Sequence, residues 1–509
     1  MNKKLLSISD MFRKRVLLID CLLLSAAFLL ICSKSSPLYP MNDWVDVHCF
    51  LTLGNGMLHG KVPYVDLYEQ KGPVLYFIYA IVALFNQKSF WGQYLLEVIT
   101  FGLFLYYSAK IAQLYLGKSL FIYPIVAVLA GVIGTTKAFA HGGSVEQMCL
   151  FIFAYGLYCI LRACHRERSL TYRETLINGI FAGIVFWIKY TMTGFYLGMA
   201  LFVVVWYLGW LRDWKKLMKT IGYFLLGFCA VTTVVFLYFL INGAVKELFT
   251  CYFYNNIFLY PSTDETPLLE LVQLRFKAAM EHNEMFPTLI YLGVAYLLVQ
   301  AKERPKDLIA FCLCFAGLVI GTYVGQGYVY YGLVLSAFSV FGLVGFVSLL
   351  RLIRLPTIPQ GAKLGVKIIQ VALIISVCLL TLSNAYSKSE NTYLMNYEKQ
   401  DMPQYQFAKR INRVEDATIL NFGFLDGGFY YASSTVPNCP FFCTFNVDAP
   451  GMWETQYQYI EDGTVDFVIT RHYPLEMYHV DHSKYELVQS ASMPFEGIDF
   501  TYFLYQLKG

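Results

Sequence analysis

Leu176–Trp210 reads LINGIFAGIVFWIKYTMTGFYLGMALFVVVWYLGW. A helical span across a bilayer takes about 20 apolar residues, within a range of roughly 17–25. This run is long for one crossing and long enough for two short ones, interrupted at Lys189. Its surroundings decide between them. Basic segments stand at FRKR (12–15), RACHRERSLTYRE (162–174), RDWKKLMK (212–219), KERPKD (302–307) and RLIRLPTIPQGAKLGVK (351–367). Cytoplasmic loops carry an excess of Lys and Arg. All five segments fall on one side only if Leu176–Trp210 crosses twice. The N-terminus is then inside and the C-terminus outside, and the short LGKS turn (116–119) is an inside loop.

Working outward, further apolar runs lie at Val16–Ser33, Trp91–Leu116, Leu120–Phe139, Val145–Ala163, Ile221–Ile241, Phe286–Ala301, Leu308–Val324, Val329–Leu350 and Val366–Asn384. With the double crossing, the count is about eleven spans. Composition agrees: 57% of the 509 residues are hydrophobic and 15% charged, whereas soluble chains are about a quarter charged. The net charge of +4 is too small to point to nucleic acid as a partner; the lipid bilayer is the partner this composition requires. The basic N-terminal flank and the apolar run after it lack a clear small-x-small cleavage site and read as an uncleaved first helix.

Three segments remain outside. Lys34–Asn86 holds an apolar piece, Pro73–Phe85, too short to span and suited to the interface. Asn242–Met285 holds the aromatic stretch FTCYFYNNIFLYP, which also suits the membrane surface. After Tyr386 the composition turns polar, and β-type runs (ATILNFGF, VDFVIT, YELVQSA, FTYFLYQL) alternate with helix-like stretches such as Gln404–Arg413. The expected architecture is an all-α polytopic membrane domain over 1–386, with an external loop at 34–90, and a small extracytoplasmic α/β domain over 387–509. Most of the thirteen Cys, such as Cys21, Cys149 and Cys229, sit in apolar runs as small hydrophobes. Cys439 and Cys443 lie in a polar segment, where a disulfide and two free thiols are both open readings.

The densest polar cluster is NDWVDVHCFLTLGNGMLHGKVPYVDLYEQKGPVLY (42–76), with Asp43, Asp46, His48, His59, Asp66, Glu69 and Lys71. A carboxylate there can take a proton from an attacking hydroxyl, and a cation can hold a departing phosphate. A solvated connector is the plainer reading. Elsewhere, Glu146 follows His141 at the outer start of a span, where ionisable groups are functional by default, although an acid in a first helical turn is also stabilised by the helix dipole. Lys189 can neutralise a phosphate or anchor the helix at the interface. Tyr328, Tyr330 and Tyr331 read as an aromatic belt. His472, His479 and His482 near Asp481 fit no standard zinc spacing. No phosphate-binding P-loop, dinucleotide fingerprint or nucleophile elbow occurs.

The order of an Asp, a G-x-G-M-x-x-G turn (54–60) and VPYVDLYEQKGPVLYF (62–77) resembles the first external loop of bacterial GT-C glycosyltransferases. The nearest likeness is to glycosyltransferase family 39, the group of protein O-mannosyltransferases and lipid A aminoarabinose transferases. HGGSVEQMCLFIFAYGLY (141–158) and GIFAGIVFWIKYT (179–191) are similar to two further family segments. The resemblance implies a hexosyl- or pentosyltransferase that takes a sugar from a polyprenyl-phosphate donor to a cell-envelope glycan, lipid or protein on the outer face. It implies a catalytic base at Asp46, with Asp43 as rival, and substrate contacts at Asp66, Glu69, Lys71, His141, Glu146 and Lys189. A divalent cation is a possible cofactor, with no ligand set assigned. For Asp66 and Glu69 the alternative is a local turn and helix cap; for Lys71 it is interfacial snorkelling. At the tyrosine segment some family members carry His-Tyr where this chain has Tyr-Tyr. Two other classes compete. A transporter or flippase would place charges near the bilayer midplane and show internal repeats, and an inactive scaffold would keep the fold without the chemistry.

Overall fold

The computed structural model describes residues 2–85, 89–260, 266–283, 285–352, 363–495 and 498–509. The helices are α1 (Asn2–Cys32), α2 (Val45–Leu58), α3 (Pro73–Ala83), α4 (Trp91–Leu116), α5 (Ile122–Gly134), α6 (Val145–His165), α7 (Tyr172–Lys189), α8 (Gly194–Trp206) and α9 (Trp214–Ile241). Then come α10 (Val245–Phe249), α11 (Leu268–His282), α12 (Met285–Gln300), α13 (Pro305–Tyr323), α14 (Val340–Leu350), α15 (Lys363–Lys388), α16 (Pro403–Ile411), α17 (Phe429–Ser433) and α18 (Met452–Glu461). The strands are β1 (Ile419–Phe422), β2 (Phe467–Arg471), β3 (Tyr485–Phe495) and β4 (Ile498–Leu507). The chain is a polytopic helical membrane protein with a small C-terminal sheet. It divides into two compact units: Met1–Ser33 with Tyr94–Val231 and Glu265–Thr392, and Lys34–Gln93 with Thr232–Asp264 and Tyr393–Gly509.

The first unit is the helical one. Among the described residues, seven stretches are long and apolar enough to cross a membrane, or eight with the bent pair Val329–Phe338 and Val340–Leu350. By length, Tyr172–Leu211 counts once in that seven. Its hydrogen bonds show two antiparallel helices instead. The Leu170 N–H donates to the Tyr207 hydroxyl at 3.1 Å; in one straight helix these residues would stand roughly 55 Å apart at 1.5 Å per residue. The chain therefore reverses at Tyr190–Thr193, a tight turn just after Lys189. The remaining expected crossings fall on the shorter apolar helices Ile122–Gly134 and Met285–Gln300.

Glycines let these helices approach closely. A Cβ on Gly198 would lie 2.0 Å from the Leu313 carbonyl oxygen, and one on Gly194 2.1 Å from that of Gly317, so α8 and α13 meet backbone to backbone. Gly179 and Gly227 do the same between α7 and α9. Small residues at such seams favour helix packing in lipid, where apolar burial alone gives no drive. The outward faces of α9 and α15 stay apolar and exposed, with Leu225, Leu226, Val234, Ile368, Ile369 and Leu373 among them.

The basic segments gather at one end of this unit. Arg162 and Arg168 both pair with Glu174, which also closes the capping box with Thr171 at the start of α7. His165 Nε2 lies 2.7 Å from Asp307 Oδ2, and Tyr115 donates to the same carboxylate. Arg351 Nη2 donates to the Leu116 carbonyl. Thr220 joins Leu170 at the Tyr207 hydroxyl. Of FRKR only Arg15 has a described side chain, and most of Arg351–Lys367 lies outside the described residues.

The second unit holds the C-terminal sheet, in the order β1-β2-β4-β3. β1 pairs parallel to β2, and the other pairs are antiparallel. Leu420, Phe422, Val468, Ile460 and Tyr505 form its core. The four β-type runs of the sequence each supply one strand. The unit also contains 34–93. There α2 and α3 lie so close that a Cβ on Gly54 would be 2.5 Å from the Tyr79 carbonyl carbon. The aromatic stretch 249–261 is helical through Leu259, wound wide over Thr250–Leu259.

Candidate functional site

Asp43 precedes α2 and is buried. Its Oδ1 lies 2.6 Å from Lys34 Nζ, itself 3% exposed, and its Oδ2 accepts from the Tyr393 hydroxyl at 2.6 Å. A buried carboxylate needs a partner of this kind, because transfer from water costs several kcal/mol per ion. Asp46 sits in the first turn of α2 and is half-buried. There the N-terminal partial charge of the helix favours its ionised form. The two aspartates thus occupy different environments. Asp43 is a neutralised, interior group, and Asp46 is partly open to solvent.

The C-terminal segment grips the other side of α2. The Thr52 hydroxyl donates to Asp426 Oδ2 at 2.5 Å, while Asp426 Oδ1 accepts from Asn421 Nδ2 and from the Gly428 N–H. Burial pushes the Asp426 carboxyl up from its ordinary value, against the pull of His48 and these donors. His48, fully buried, places Nε2 2.6 Å from the Asn42 carbonyl oxygen. Burial pushes its imidazole down, with Asp426 the largest opposing influence. Cys443 Sγ stands 4.0 Å from Cys49 Sγ. Cys439 and Cys443 are both free thiols here.

The remaining first-loop candidates make local structure. Asp66 Oδ2 accepts from the Val62 N–H at 2.7 Å, closing a turn. Glu69 is 4% exposed and accepts from the Tyr76 hydroxyl and the Lys71 N–H. Burial raises its pKa, with Lys71 opposing. The Lys71 carbonyl takes the hydroxyls of Tyr64 and Tyr76. The Asp66 contact is a local turn, while neither carboxylate caps α3, whose N-cap Gly72 has no side-chain cap; the Glu69 contacts fix the backbone on which the Lys71 ammonium is carried.

In the helical unit, at the end away from the basic segments, Lys189 Nζ lies 2.6 Å from Glu146 Oε1 and 3.0 Å from the centre of the Tyr331 ring. Glu146 is in the first turn of α6, capped by Ser144. The turn before it has Gly142 and Gly143 at φ +63° and +79°, a conformation glycine adopts without strain. His141 meets the Tyr330 ring edge-on at 5.4 Å. Glu97 joins this group: its Oε2 accepts from Ser33 Oγ at 2.6 Å and from Gln147 Nε2 at 3.2 Å. The structure so brings Lys189, Glu146 and the tyrosine segment together. The tyrosines are partners of the candidate residues as well as aromatic surface.

Sequence reasoning missed Lys34, Tyr393, Asp426 and Glu97. Lys34 had a signal, a lone cation ahead of an acidic cluster, and Glu97 had one as a carboxylate inside an apolar run. Tyr393 and Asp426 are hundreds of residues from their partners and had none. Among the described residues, no three His, Cys, Asp or Glu side chains converge to hold a metal.

No family model matches the chain, and no curated protein matches it. Its fold is that of ArnT, a GT-C glycosyltransferase. The structure of ArnT from Cupriavidus metallidurans bound to undecaprenyl phosphate is similar over 95% of this chain and 97% of that one, with a TM-score of 0.57 at 11% identity. The apo structure of the same protein is similar over 97% and 98%, with a TM-score of 0.58 at 12% identity.

Proposed function

We propose that the protein is a membrane glycosyltransferase of the GT-C type that moves a sugar from a polyprenyl-phosphate carrier to a hydroxyl of a cell-envelope acceptor, with inversion. The observation that carries this reading is the near full-length likeness to a transferase whose structure holds undecaprenyl phosphate. Asp46 is the base for the acceptor hydroxyl. Asp43, held by Lys34 and Tyr393, keeps the entry to α2 in place. Lys189, shared between Glu146 and the Tyr331 face, is the cation for the carrier phosphate. His141 and Glu146 order that site, and Lys71 is a second phosphate contact. Asp66 and Glu69 shape the loop. With the basic end in the cytoplasm, chemistry and C-terminal domain lie outside. A tag at Gly509 is then cut by protease added to wall-free cells; its protection alongside a cytoplasmic control would reverse the orientation.

The test is transfer in membranes from cells with and without the protein, supplied with polyprenyl-phosphate sugars labelled in the sugar. The expected result is label leaving the lipid fraction for an envelope acceptor only where the protein is present. Label that crosses the bilayer still on its carrier would support the flippase reading. A donor consumed equally in both membranes would overturn the proposal. The envelope glycan of a deletion strain then identifies the sugar.

A further inference from the structure

In the second unit, residues 440–445 are fixed from two sides. On one side the Asn421 N–H donates to the Phe442 carbonyl at 3.3 Å, and the Thr444 N–H donates to the Phe424 carbonyl at 3.0 Å. On the other, the Tyr68 N–H donates to the Pro440 carbonyl at 2.8 Å, and the Tyr68 ring lies 5.1 Å from the rings of Phe441 and Phe445. Cys443 is held between these anchored neighbours. Its Sγ stands 4.0 Å from Cys49 Sγ, too close for another atom to lie between. Cys49 shares a face of α2 with Thr52, three residues on, and Thr52 is bonded to Asp426. The C-terminal segment thus meets one face of α2 at two points. Cys439 is directed elsewhere: its Sγ donates to the Phe441 carbonyl at 3.4 Å, and it packs with Leu420 and Val468 in the core beneath the sheet.

We propose that Cys49 and Cys443 are oxidised to a disulfide, which fastens α2 to the C-terminal segment three residues after Asp46. The bond brings the two sulfurs to about 2 Å, and turning either side chain about its Cα–Cβ bond moves a sulfur on that scale. It requires the outward orientation proposed above, though not sugar transfer, because disulfides persist in oxidising surroundings and cytosolic thiols are kept reduced.

The oxidant is itself a disulfide, that of a thiol oxidoreductase or of a small molecule. One cysteine thiolate attacks it, forms a mixed disulfide and releases one of its sulfurs as a thiol. The second cysteine thiolate attacks the cysteine sulfur of that mixed disulfide and releases the other. The protein loses two electrons and two protons, and the oxidant leaves as two thiols. Cys49 and Cys443 are 2% and 0% exposed, and burial pushes both thiols up from their ordinary value. The thiolate is the attacking species, so the exchange takes place as the chain folds, before residues 440–445 are seated.

The experiment uses the full chain in its own cells. Thiols are trapped with acid and alkylated with N-ethylmaleimide under denaturation. After removal of the reagent, half of the sample is reduced and alkylated with iodoacetamide. Chymotrypsin cuts after Phe441 and Phe442, which separates Cys439 from Cys443, and peptides are mapped by mass spectrometry. The unreduced half should contain the Cys49 peptide linked to the Cys443 peptide. The reduced half should carry iodoacetamide on both and N-ethylmaleimide on Cys439. Cys49→Ser should move Cys443 into the N-ethylmaleimide fraction, and Cys443→Ser should do the same for Cys49. N-ethylmaleimide on both residues of the unaltered protein, or a link between Cys439 and Cys443, would overturn the proposal, and neither depends on a variant. Protease cutting at the Gly509 tag, read on the same cells, separates the causes. Reduced thiols with the tag cut refute the disulfide alone; reduced thiols with the tag protected refute the orientation as well.

Discussion

Lys189 and Glu146 close a 2.6 Å ion pair between the last residue of α7 and the first turn of α6, with the carboxylate 1% and the ammonium 11% exposed. Removing one partner of a buried pair leaves an uncompensated charge and costs about 3–5 kcal/mol. Lys189→Met should therefore lower the melting temperature as well as weaken retention of a polyprenyl phosphate by the purified protein. Glu146→Gln should lower the melting temperature comparably. The double variant, with both charges gone, should recover much of the stability but none of the phosphate binding. A double variant that regained binding would show that Lys189 holds Glu146 and not the carrier.

His48 gives the second unit a pH dependence whose sign follows from its burial. The folded protein holds the imidazole neutral below its ordinary pKa. The unfolded chain takes up a proton near pH 6.5, so the contribution of His48 is full above that value and is lost as pH falls, at up to about 1.4 kcal/mol per unit. Asp426 acts the other way: its raised pKa means the folded state binds the proton first, which adds stability on acidification. The His48 contribution is isolated by comparing melting temperatures at pH 7.5 and 5.5 in the wild type and in His48→Gln. The variant should lose less on acidification. Equal losses would show that the imidazole is already charged in the folded protein.

Gly428 packs against that imidazole. Its φ is +87°, and a Cβ there would come within 2.1 Å of Met41 Cε and 2.7 Å of His48 Nε2. The thioether can move, but the ring is tied to the Asn42 carbonyl. Gly428→Ala should cost about 1–3 kcal/mol from crowding alone, with left-handed strain added. The measurement is thermal unfolding; an unchanged melting temperature would mean that the ring is not held where it stands.

How far these contacts were legible depends on their range. Trp91–Leu116 is one helix with those same ends, because an uninterrupted apolar run in a membrane has one way to satisfy its backbone. The reversal after Lys189 was legible from charge, since only two crossings keep the basic segments together. The wide winding of Thr250–Leu259 had no local signal; its composition shows an aromatic surface and no particular turn size. The candidate site divides the same way. Glu146 and Lys189 could be placed on one side by counting spans, yet their contact is a property of helix packing between residues 43 apart in the chain. Asp66 and Glu69 were visible as polar residues beside the glycine turn, and their contacts are to neighbours within seven residues. Tyr393 reaches Asp43 across 350 residues and Thr52 reaches Asp426 across 374, beyond any periodicity.

Asp46 and Asp43 differ in surroundings, and in the proposed reaction that difference separates a base from a structural acid. A base must reach the acceptor hydroxyl and stay ionised until it takes the proton. Asp46 is half-buried and sits where the helix dipole favours its charge. Asp43 already spends one oxygen on Lys34 and the other on Tyr393. In the proposed reaction the departing group is a phosphate on a lipid, so no matching acid is needed. One positioned carboxylate is typically worth about 10²–10⁴-fold, and Asp46→Asn should lose transfer on that scale per folded molecule. Asp43→Asn should instead cost stability. It breaks the buried ion pair with Lys34, so stability falls by about 3–5 kcal/mol while the folded fraction still transfers sugar. Adding Lys34→Met to Asp43→Asn should restore much of that stability. The readouts are transfer per folded molecule and thermal unfolding of the same preparations. If Asp43→Asn abolished transfer in folded protein and Asp46→Asn did not, the base would be Asp43. If both retained full transfer, neither residue in this loop would supply it.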